Sequence, residues 1–259
     1  MQILRDRIQA ANSKHDGSYS RLDQDWRSQN AGLSFKSIYK RGVLMKTLIA
    51  VPCFDMVHAD FMESLVNLQK PPETSWTMVK NTLIHDARNI IAANAIEAGF
   101  DRVMWFDSDM TFKPDTLIEL TKVMDVMGVD MVSGLYFTRR PPKIKPVAYK
   151  RSWYKVKKDG SVDTGAENYF DYPDNAITAV DAVGFGCCLT TCDILKRVGD
   201  RFGAPFDMIP TMGEDMSFCW RAKKIGAKIV LDTGVKCGHI GAVQITEETY
   251  KASLHPTAP

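Results

Sequence analysis

An apolar run that ends in two carboxylates constrains the fold of this chain more than any other feature. The run Val103–Phe106 has the composition of a buried strand, and Asp107, Ser108 and Asp109 follow it directly. Packing alone gives no reason to place two negative charges at the end of a buried strand. If the strand belongs to an open parallel sheet, both aspartates lie at the carboxyl edge, where such sheets bind ligands.

Two interpretations of the aspartate pair follow from its chemistry. Two hard oxygen ligands suit Mg²⁺ or Mn²⁺ carrying a diphosphate. The alternative is a turn in which Asp and Ser side chains form hydrogen bonds with nearby backbone groups. The pair by itself does not decide between a metal site and a turn, so the choice depends on the rest of the chain.

Composition indicates an ordinary globular protein. The 259 residues are 45% hydrophobic and 25% charged, which is enough for one substantial core. A formal net charge of +2 gives no strong signal for nucleic-acid binding. The six cysteines are scattered without Cys-x-x-Cys spacing, which favours reduced thiols in a cytoplasmic protein. No apolar run reaches the ~18 residues of a membrane span, and no signal-peptide segment opens the chain.

Changes in pattern along the chain predict three parts. Residues 1–44 are polar without a sustained period, which predicts a flexible or loosely docked extension. Residues 45–245 carry the patterned segments and predict one domain. Within it, an insertion at about 139–175 begins with several prolines, and Lys158-Asp159-Gly160 after Val147–Val156 predicts a β-hairpin that helps shape a pocket. Residues 246–259 have little pattern and are expected to be a tail.

Strand-length apolar runs alternate with segments of helical period through the predicted domain. Further strands are predicted at Thr47–Pro52, Trp76–Val79, Asp130–Phe137, Val180–Thr190 and Lys228–Leu231. Helices are predicted at Ala59–Leu68, Asp86–Ala98, Pro114–Met127, Cys192–Val198 and Glu214–Ile225. This alternation is typical of an α/β fold with a mostly parallel central sheet flanked by helices.

Three more features carry side chains suited to chemistry, and each has a structural alternative. Arg88 opens a helix and is able to bind a phosphate through two N–H groups, although the same turn also suits a plain helix start. Glu214 and Asp215 head another helix, where an acid either favours the helix dipole or takes a proton from a hydroxyl. His239 lies in a glycine-rich segment, as a surface histidine or a third metal ligand.

The order of these features resembles the GT-A glycosyltransferase superfamily, in particular its family 2-like members, across about Met45–Gly241. The motifs that carry the resemblance are, in chain order, the strand ending at Pro52, Ala87-Arg88-Asn89, Asp107-Ser108-Asp109, Val183–Cys187, Glu214-Asp215 before a helix with Arg221 and Gly226, and His239. The stretch Ser133–Pro141 is also similar to bacterial and phage members and to mannosylglycerate synthase-like enzymes.

The resemblance implies a role for each matching residue. It implies a nucleotide-sugar site formed by Pro52, Phe54, Arg88, Asp107, Ser108 and Gly186. It implies that Mn²⁺ or Mg²⁺ is held by Asp107, Asp109 and His239. It also implies that Asp215 or Glu214 faces the acceptor and activates its hydroxyl as the catalytic base.

The implied activity is metal-dependent transfer of a sugar from a nucleoside-diphosphate-sugar donor to a hydroxyl acceptor, which is a glycan, a small molecule or a protein. Stereochemistry stays open. One alternative is a nucleotidyltransferase that makes the sugar nucleotide, but it needs a glycine-rich basic phosphate loop after the first strand, and Cys53–His58 contains neither Gly nor Lys. The other is a sugar-nucleotide-binding module without catalysis.

Overall fold

A seven-stranded sheet forms the centre of the computed structural model, which describes Arg7 and residues 45–139, 143–241 and 244–254. The strands are β1 Thr47–Pro52, β2 Thr74–Val79, β3 Arg102–Phe106, β4 Met110–Thr111, β5 Met131–Leu135, β6 Ala148–Val156, β7 Val162–Asn168, β8 Ile177–Ala179, β9 Ala182–Val183, β10 Cys187–Thr191, β11 Ile229–Lys236, β12 Gly238–Ile240 and β13 Gln244–Ile245. The helices of these ranges are α1 Ala59–Asn67, α2 Ile84–Glu97, α3 Thr116–Met127, α4 Cys192–Phe202, α5 Glu214–Lys224 and α6 Glu247–Leu254.

The central sheet has the order β2-β1-β3-β10-β5-β11-β8. Strands β2, β1 and β3 pair in parallel, as do β5 and β11, whereas β10 and β8 run antiparallel to their neighbours. The predicted α/β fold with a mostly parallel sheet is therefore confirmed. The parallel strands β1 and β3 end at the same edge, so the residues that follow them lie side by side.

Helices cover both faces of this sheet. Along β3, Trp105 and Phe106 point to opposite faces, and both are fully buried. On the Trp105 face the core includes residues of α2, α4 and α5, among them Ile91, Leu195 and Phe218. On the Phe106 face it includes residues of α1 and α3, among them Phe61 and Leu120. A strand buried on both faces reads as a continuous apolar run, which explains the pattern that precedes Asp107.

The segment predicted as one strand at Val180–Thr190 is divided between two sheets, so that prediction is wrong. Its first part forms β9, which pairs with β6, and its second part forms β10 in the central sheet. The turn between them contains Gly184 and Gly186, where Tyr136 packs so closely that a Cβ atom at either glycine would crowd its ring or hydroxyl. The glycines therefore allow a change of sheet rather than one long strand.

The predicted hairpin is confirmed. Strands β6 and β7 pair antiparallel, and Gly160 takes a positive φ of 80° in the turn between them. Strand β6 also pairs with β9, so the insertion adds a small three-stranded sheet beside the central one. Tyr154 in β6 packs edge-to-face with Trp220 in α5 at 5.7 Å between ring centroids, which fixes the hairpin against that helix.

The structure describes the two ends of the chain to different extents. The predicted patternless tail includes helix α6, whose Tyr250 is buried and stacks on Phe137 at 4.3 Å. Tertiary packing rather than local periodicity holds this helix. The predicted N-terminal extension lies outside the described residues except for Arg7, which is buried and forms an ion pair with Asp232.

All six cysteines are free and buried. Burial raises the pKa of the Cys187 and Cys188 thiols well above the usual range, so both stay protonated at neutral pH. Among the described residues, no helix combines the length and the apolar character required to cross a membrane.

Candidate functional site

Two loops meet at the carboxyl edge of β1 and β3. The loop after β1 is tied to the aspartate segment because the His58 N–H donates to the Ser108 carbonyl at 3.1 Å. The Phe54 carbonyl accepts a hydrogen bond from the Asn81 N–H at 2.8 Å, which joins the loops that follow β1 and β2. Pro52 is buried at the end of β1, while Phe54 is 67% exposed. The exposed Phe54 ring belongs to the loop after β1 and is available for stacking on a planar ligand.

Arg88 joins the aspartate segment to the acidic helix. Its side chain rises from the first turns of α2 and is buried. One guanidinium nitrogen lies 2.8 Å from Asp107 Oδ1, and another lies 3.2 Å from Glu214 Oε1. The guanidinium also lies 5.1 Å from the centroid of the Phe185 ring. Burial alone lowers the pKa of Arg88, but the carboxylates of Asp107, Glu214 and Asp215 raise it above the usual value, so Arg88 is permanently charged.

Asn89, the next residue, fixes the loop that leads into α5. Its side-chain oxygen accepts a hydrogen bond from the Phe206 N–H at 2.8 Å, and its side-chain nitrogen donates to Asp207 at 3.0 Å. From α5 itself, Arg221 donates to the backbone carbonyls of Pro205 and Asp207. The Arg88-Asn89 pair therefore positions the start of α5 through both a side-chain ion pair and a tethered loop.

Asp215 lies in the first turn of α5 in a low-dielectric environment. Burial raises its pKa to about 6, and the neighbouring Glu214 carboxylate adds to the increase, whereas Arg88 and a hydrogen bond from the Met216 N–H at 2.7 Å oppose it. A carboxyl group with a pKa of about 6 is ionised at neutral pH but still accepts a proton readily. Burial, with Asp215 nearby, also raises the pKa of Tyr149 to about 12, so this tyrosine stays neutral.

Gly186 brings the turn between β9 and β10 against the aspartate segment. Its carbonyl accepts a hydrogen bond from the Asp107 N–H at 3.2 Å, and its own N–H donates to the Tyr136 hydroxyl oxygen at 3.1 Å. The tyrosine hydroxyl is buried, and burial raises its pKa well above the usual range. This arrangement fixes the backbone from which the Asp107 side chain reaches Arg88.

Asp109 and His239 face each other on the other side of the segment. Strand β12 pairs antiparallel with β4, and the Ile240 N–H donates to the Asp109 carbonyl at 2.8 Å. His239 Nδ1 lies 2.8 Å from the Phe137 carbonyl oxygen, and Nε2 lies 3.6 Å from Asp109 Oδ1. Burial lowers the pKa of His239, although the hydrogen bond to Phe137 opposes this effect. Arg139 forms an ion pair with Asp109 and donates to the Ile240 carbonyl at 3.2 Å.

The Asp109–His239 pair has the chemistry of a cation site. With Nδ1–H donating to a carbonyl, neutral His239 presents the Nε2 lone pair towards a carboxylate oxygen, and two electron-pair donors face each other. Nitrogen and oxygen ligands together suit Mn²⁺. Among the described residues, however, no three His, Cys, Asp or Glu side chains form a cluster that would hold a metal, since Asp107 points to Arg88 instead.

The structure thus brings several of the sequence-predicted residues into contact with one another in pairs. The pairs are Asp107 with Arg88, Arg88 with Glu214, and Asp109 with His239. Sequence reasoning missed Asn89, Tyr136 and Arg139 as parts of the site. Asn89 follows Arg88 in a motif whose arginine has the more distinctive chemistry. Tyr136 and Arg139 belong to a segment whose path past Asp109 and Gly186 leaves no local signal in the sequence.

Comparison with solved structures identifies the fold. Over 76% of its residues the chain superposes on the crystal structure of A197 from STIV, with a TM-score of 0.53 and 16% identity over 86% of that protein. It superposes equally on GalNAc-T7 solved with UDP, GalNAc and Mn²⁺, with a TM-score of 0.52 and 9% identity, but spans only 43% of that chain. No protein-family model and no curated protein matches the sequence. The chain has a GT-A-like fold.

Proposed function

We propose that this protein is a glycosyltransferase that moves a sugar from a nucleoside-diphosphate donor to a hydroxyl acceptor with the help of Mn²⁺ or Mg²⁺. The observation that carries the proposal is the joining of two functional groups by one buried arginine. Arg88 contacts Asp107 beside the Asp109–His239 pair, and it contacts Glu214 beside Asp215. A potential cation site and a carboxyl group with a pKa of about 6 therefore belong to the same cleft.

On the donor side, the proposed ligands are Asp109 and His239, with Asp107 held next to them by Arg88. When bound, the cation neutralises negative charge that develops on the leaving diphosphate. Phe54 and Ser108 belong to the two joined loops, so we assign the nucleotide to this edge, with Pro52 and Gly186 forming its buried walls. The GalNAc-T7 structure with UDP and Mn²⁺ makes this donor class and this cation the first to test.

On the acceptor side, Asp215 is the proposed general base. It removes the proton from the acceptor hydroxyl as the oxygen attacks the sugar, and the bond from that sugar to the diphosphate breaks. Glu214 stays paired with Arg88 and keeps the pKa of Asp215 raised. This assignment applies to direct displacement. The resemblance of the motif order to family 2-like enzymes is compatible with it but does not select the donor sugar.

Binding is the first test of the proposal. The purified protein is screened by thermal shift against a panel of nucleoside-diphosphate sugars with and without Mn²⁺, since a ligand that binds only the folded state raises the midpoint. We expect stabilisation by one donor group, and only in the presence of the cation. Asp109→Asn should remove this effect, whereas Asp200→Asn, which changes an exposed carboxylate on α4, should retain it.

Turnover is the second test. Release of the nucleoside diphosphate is followed with the donor identified by binding and a panel of hydroxyl acceptors. Asp215→Asn should bind the donor normally and lose transfer, because it lacks only the proton acceptor. Donor binding without transfer or hydrolysis would instead indicate a sugar-nucleotide-binding module. Release of pyrophosphate from a nucleoside triphosphate would indicate a nucleotidyltransferase.

A further inference from the structure

Asp107 and Asp109 each form an ion pair with an arginine, but the two arginine side chains differ in their exposure to solvent. Arg88, on Asp107, has a side chain that is 3% exposed. Arg139, on Asp109, has a side chain that is 46% exposed and follows β5 in a loop. Removing a buried partner leaves an uncompensated charge, whereas an exposed ion pair is worth little and exchanges easily. The buried Arg88 therefore stays paired with Asp107, whereas the exposed Arg139 is able to leave Asp109.

Arg139 contacts the carboxylate that the proposed cation would need. Its guanidinium contacts Asp109 Oδ2 and the Ile240 carbonyl, while His239 Nε2 faces Asp109 Oδ1 from 3.6 Å. A metal ion held by Asp109 and His239 would need the same carboxylate and would be repelled by a guanidinium beside it.

The carboxylates of the candidate site outnumber its guanidinium groups, so the site still attracts a divalent cation with both arginines in place. Four carboxylates, those of Asp107, Asp109, Glu214 and Asp215, face the two guanidinium groups of Arg88 and Arg139. With all four ionised the net charge of this group is −2. Arg139 thus neutralises the charge of Asp109, but the group of six side chains as a whole remains negative.

We propose that Arg139 is a built-in competitor for the divalent cation: it occupies Asp109 in the cation-free protein and has to leave when the cation binds. This inference rests on the proposed cation site at Asp109 and His239. Arg139 lowers the affinity for the cation through its direct contact with Asp109. Asp107 takes no part in the exchange, because its partner Arg88 is buried.

The test measures Mn²⁺ binding in the absence of any nucleotide, with free Mn²⁺ quantified by electron paramagnetic resonance. Arg139→Gln keeps a polar side chain but shortens it and removes its charge. An ion pair of this exposure corresponds to about a two- to five-fold change in affinity, and we expect Arg139→Gln to bind Mn²⁺ more tightly than wild type by that factor. Arg139→Lys, which keeps the positive charge, should bind as wild type does.

Two control variants distinguish the effect of the Arg139–Asp109 contact from the effect of removing any nearby positive charge. Lys143→Gln removes one positive charge from an exposed position in the same loop and should change the affinity by less than half as much. Asp109→Asn tests the cation site itself and should abolish binding. Equal affinities for wild type and Arg139→Gln, or equal gains in Arg139→Gln and Lys143→Gln, would overturn the competitor role while leaving the cation site intact. Absence of Mn²⁺ binding in wild type and Arg139→Gln would overturn both proposals.

Discussion

Replacing Asp215 by Asn should stabilise the protein at neutral pH while removing transfer. The carboxylate lies beside Glu214, and its charged form is disfavoured mainly by burial. Asn has nearly the same shape and keeps an oxygen that accepts the hydrogen bond from the Met216 N–H. The substitution therefore removes a charge without leaving an unpaired backbone donor.

The magnitude follows from the pKa. A rise from 3.8 to about 6 is about two units, and each unit corresponds to about 1.36 kcal/mol. Because the folded state holds the proton of Asp215 more tightly than the unfolded state, stability falls as pH rises from about 4 to about 6, and the loss is complete above that window. Its upper limit is about 3 kcal/mol. Asp215 keeps partial contact with solvent, which screens the charge, so we expect Asp215→Asn to gain about 1–3 kcal/mol at neutral pH.

Urea unfolding followed by circular dichroism measures this gain at about pH 7 and again at about pH 3, where Asp215 is protonated in the folded state and mostly protonated in the unfolded state. The advantage of Asp215→Asn should be present at the higher pH and disappear at the lower one. Asp200→Asn, with its exposed carboxylate, should show no comparable gain. A variant that is less stable than wild type at neutral pH, or whose advantage is the same at both pH values, would refute the assignment of a raised pKa.

Three other outcomes follow from the same geometry. Transfer should increase with pH through an apparent pKa of about 6, because Asp215 acts as a base only when ionised; a flat profile between about pH 5 and 8 would contradict this. Arg88→Gln should lower the free energy of unfolding in urea by about 3 kcal/mol, because Asp107 and Glu214 lose their common partner, and a change within experimental error would exclude that role. Gly184→Ala should destabilise by about 1–3 kcal/mol because its Cβ would overlap the Tyr136 hydroxyl; adding Tyr136→Phe should recover part of this loss in a double-mutant cycle, and strict additivity would refute the overlap.

The sequence was sufficient to predict the central architecture because local patterns and tertiary structure agree there. Continuous apolar runs mark strands buried on both faces, as at Val103–Phe106, and the helices between them have amphipathic periods. The antiparallel insertion of β10 between β3 and β5 was not predictable in this way. Strand direction and neighbour depend on long-range pairing, which leaves no mark in the composition of Cys187–Thr191.

Individual residues of the candidate site were identified from the sequence, but the ion pairs between them were not. Chemically distinctive side chains at strand and helix ends, such as Asp109 and Asp215, were identifiable from their positions alone. The sequence assigned Arg88 to the nucleotide, whereas the structure gives it two carboxylate partners that lie 19 and 126 residues further along the chain. Partners at such separations are set by the packing of α2 against its neighbours, which periodicity does not encode.

The two arginines of the cleft should have separable effects on the pH dependence. Arg88 is one of the groups that lower the pKa of Asp215, whereas Arg139 is not among the groups with the largest effects on it. Arg139→Gln should therefore change cation affinity and leave the apparent pKa of transfer near its wild-type value. The measurement is the pH–rate profile of both proteins at saturating Mn²⁺, so that a difference in cation affinity does not alter the comparison. If Arg139→Gln shifts the midpoint by more than about half a pH unit, the contradiction would show that Arg139 also acts on the pKa of Asp215. Arg88 would then not be the only electrostatic link between Asp109 and Asp215.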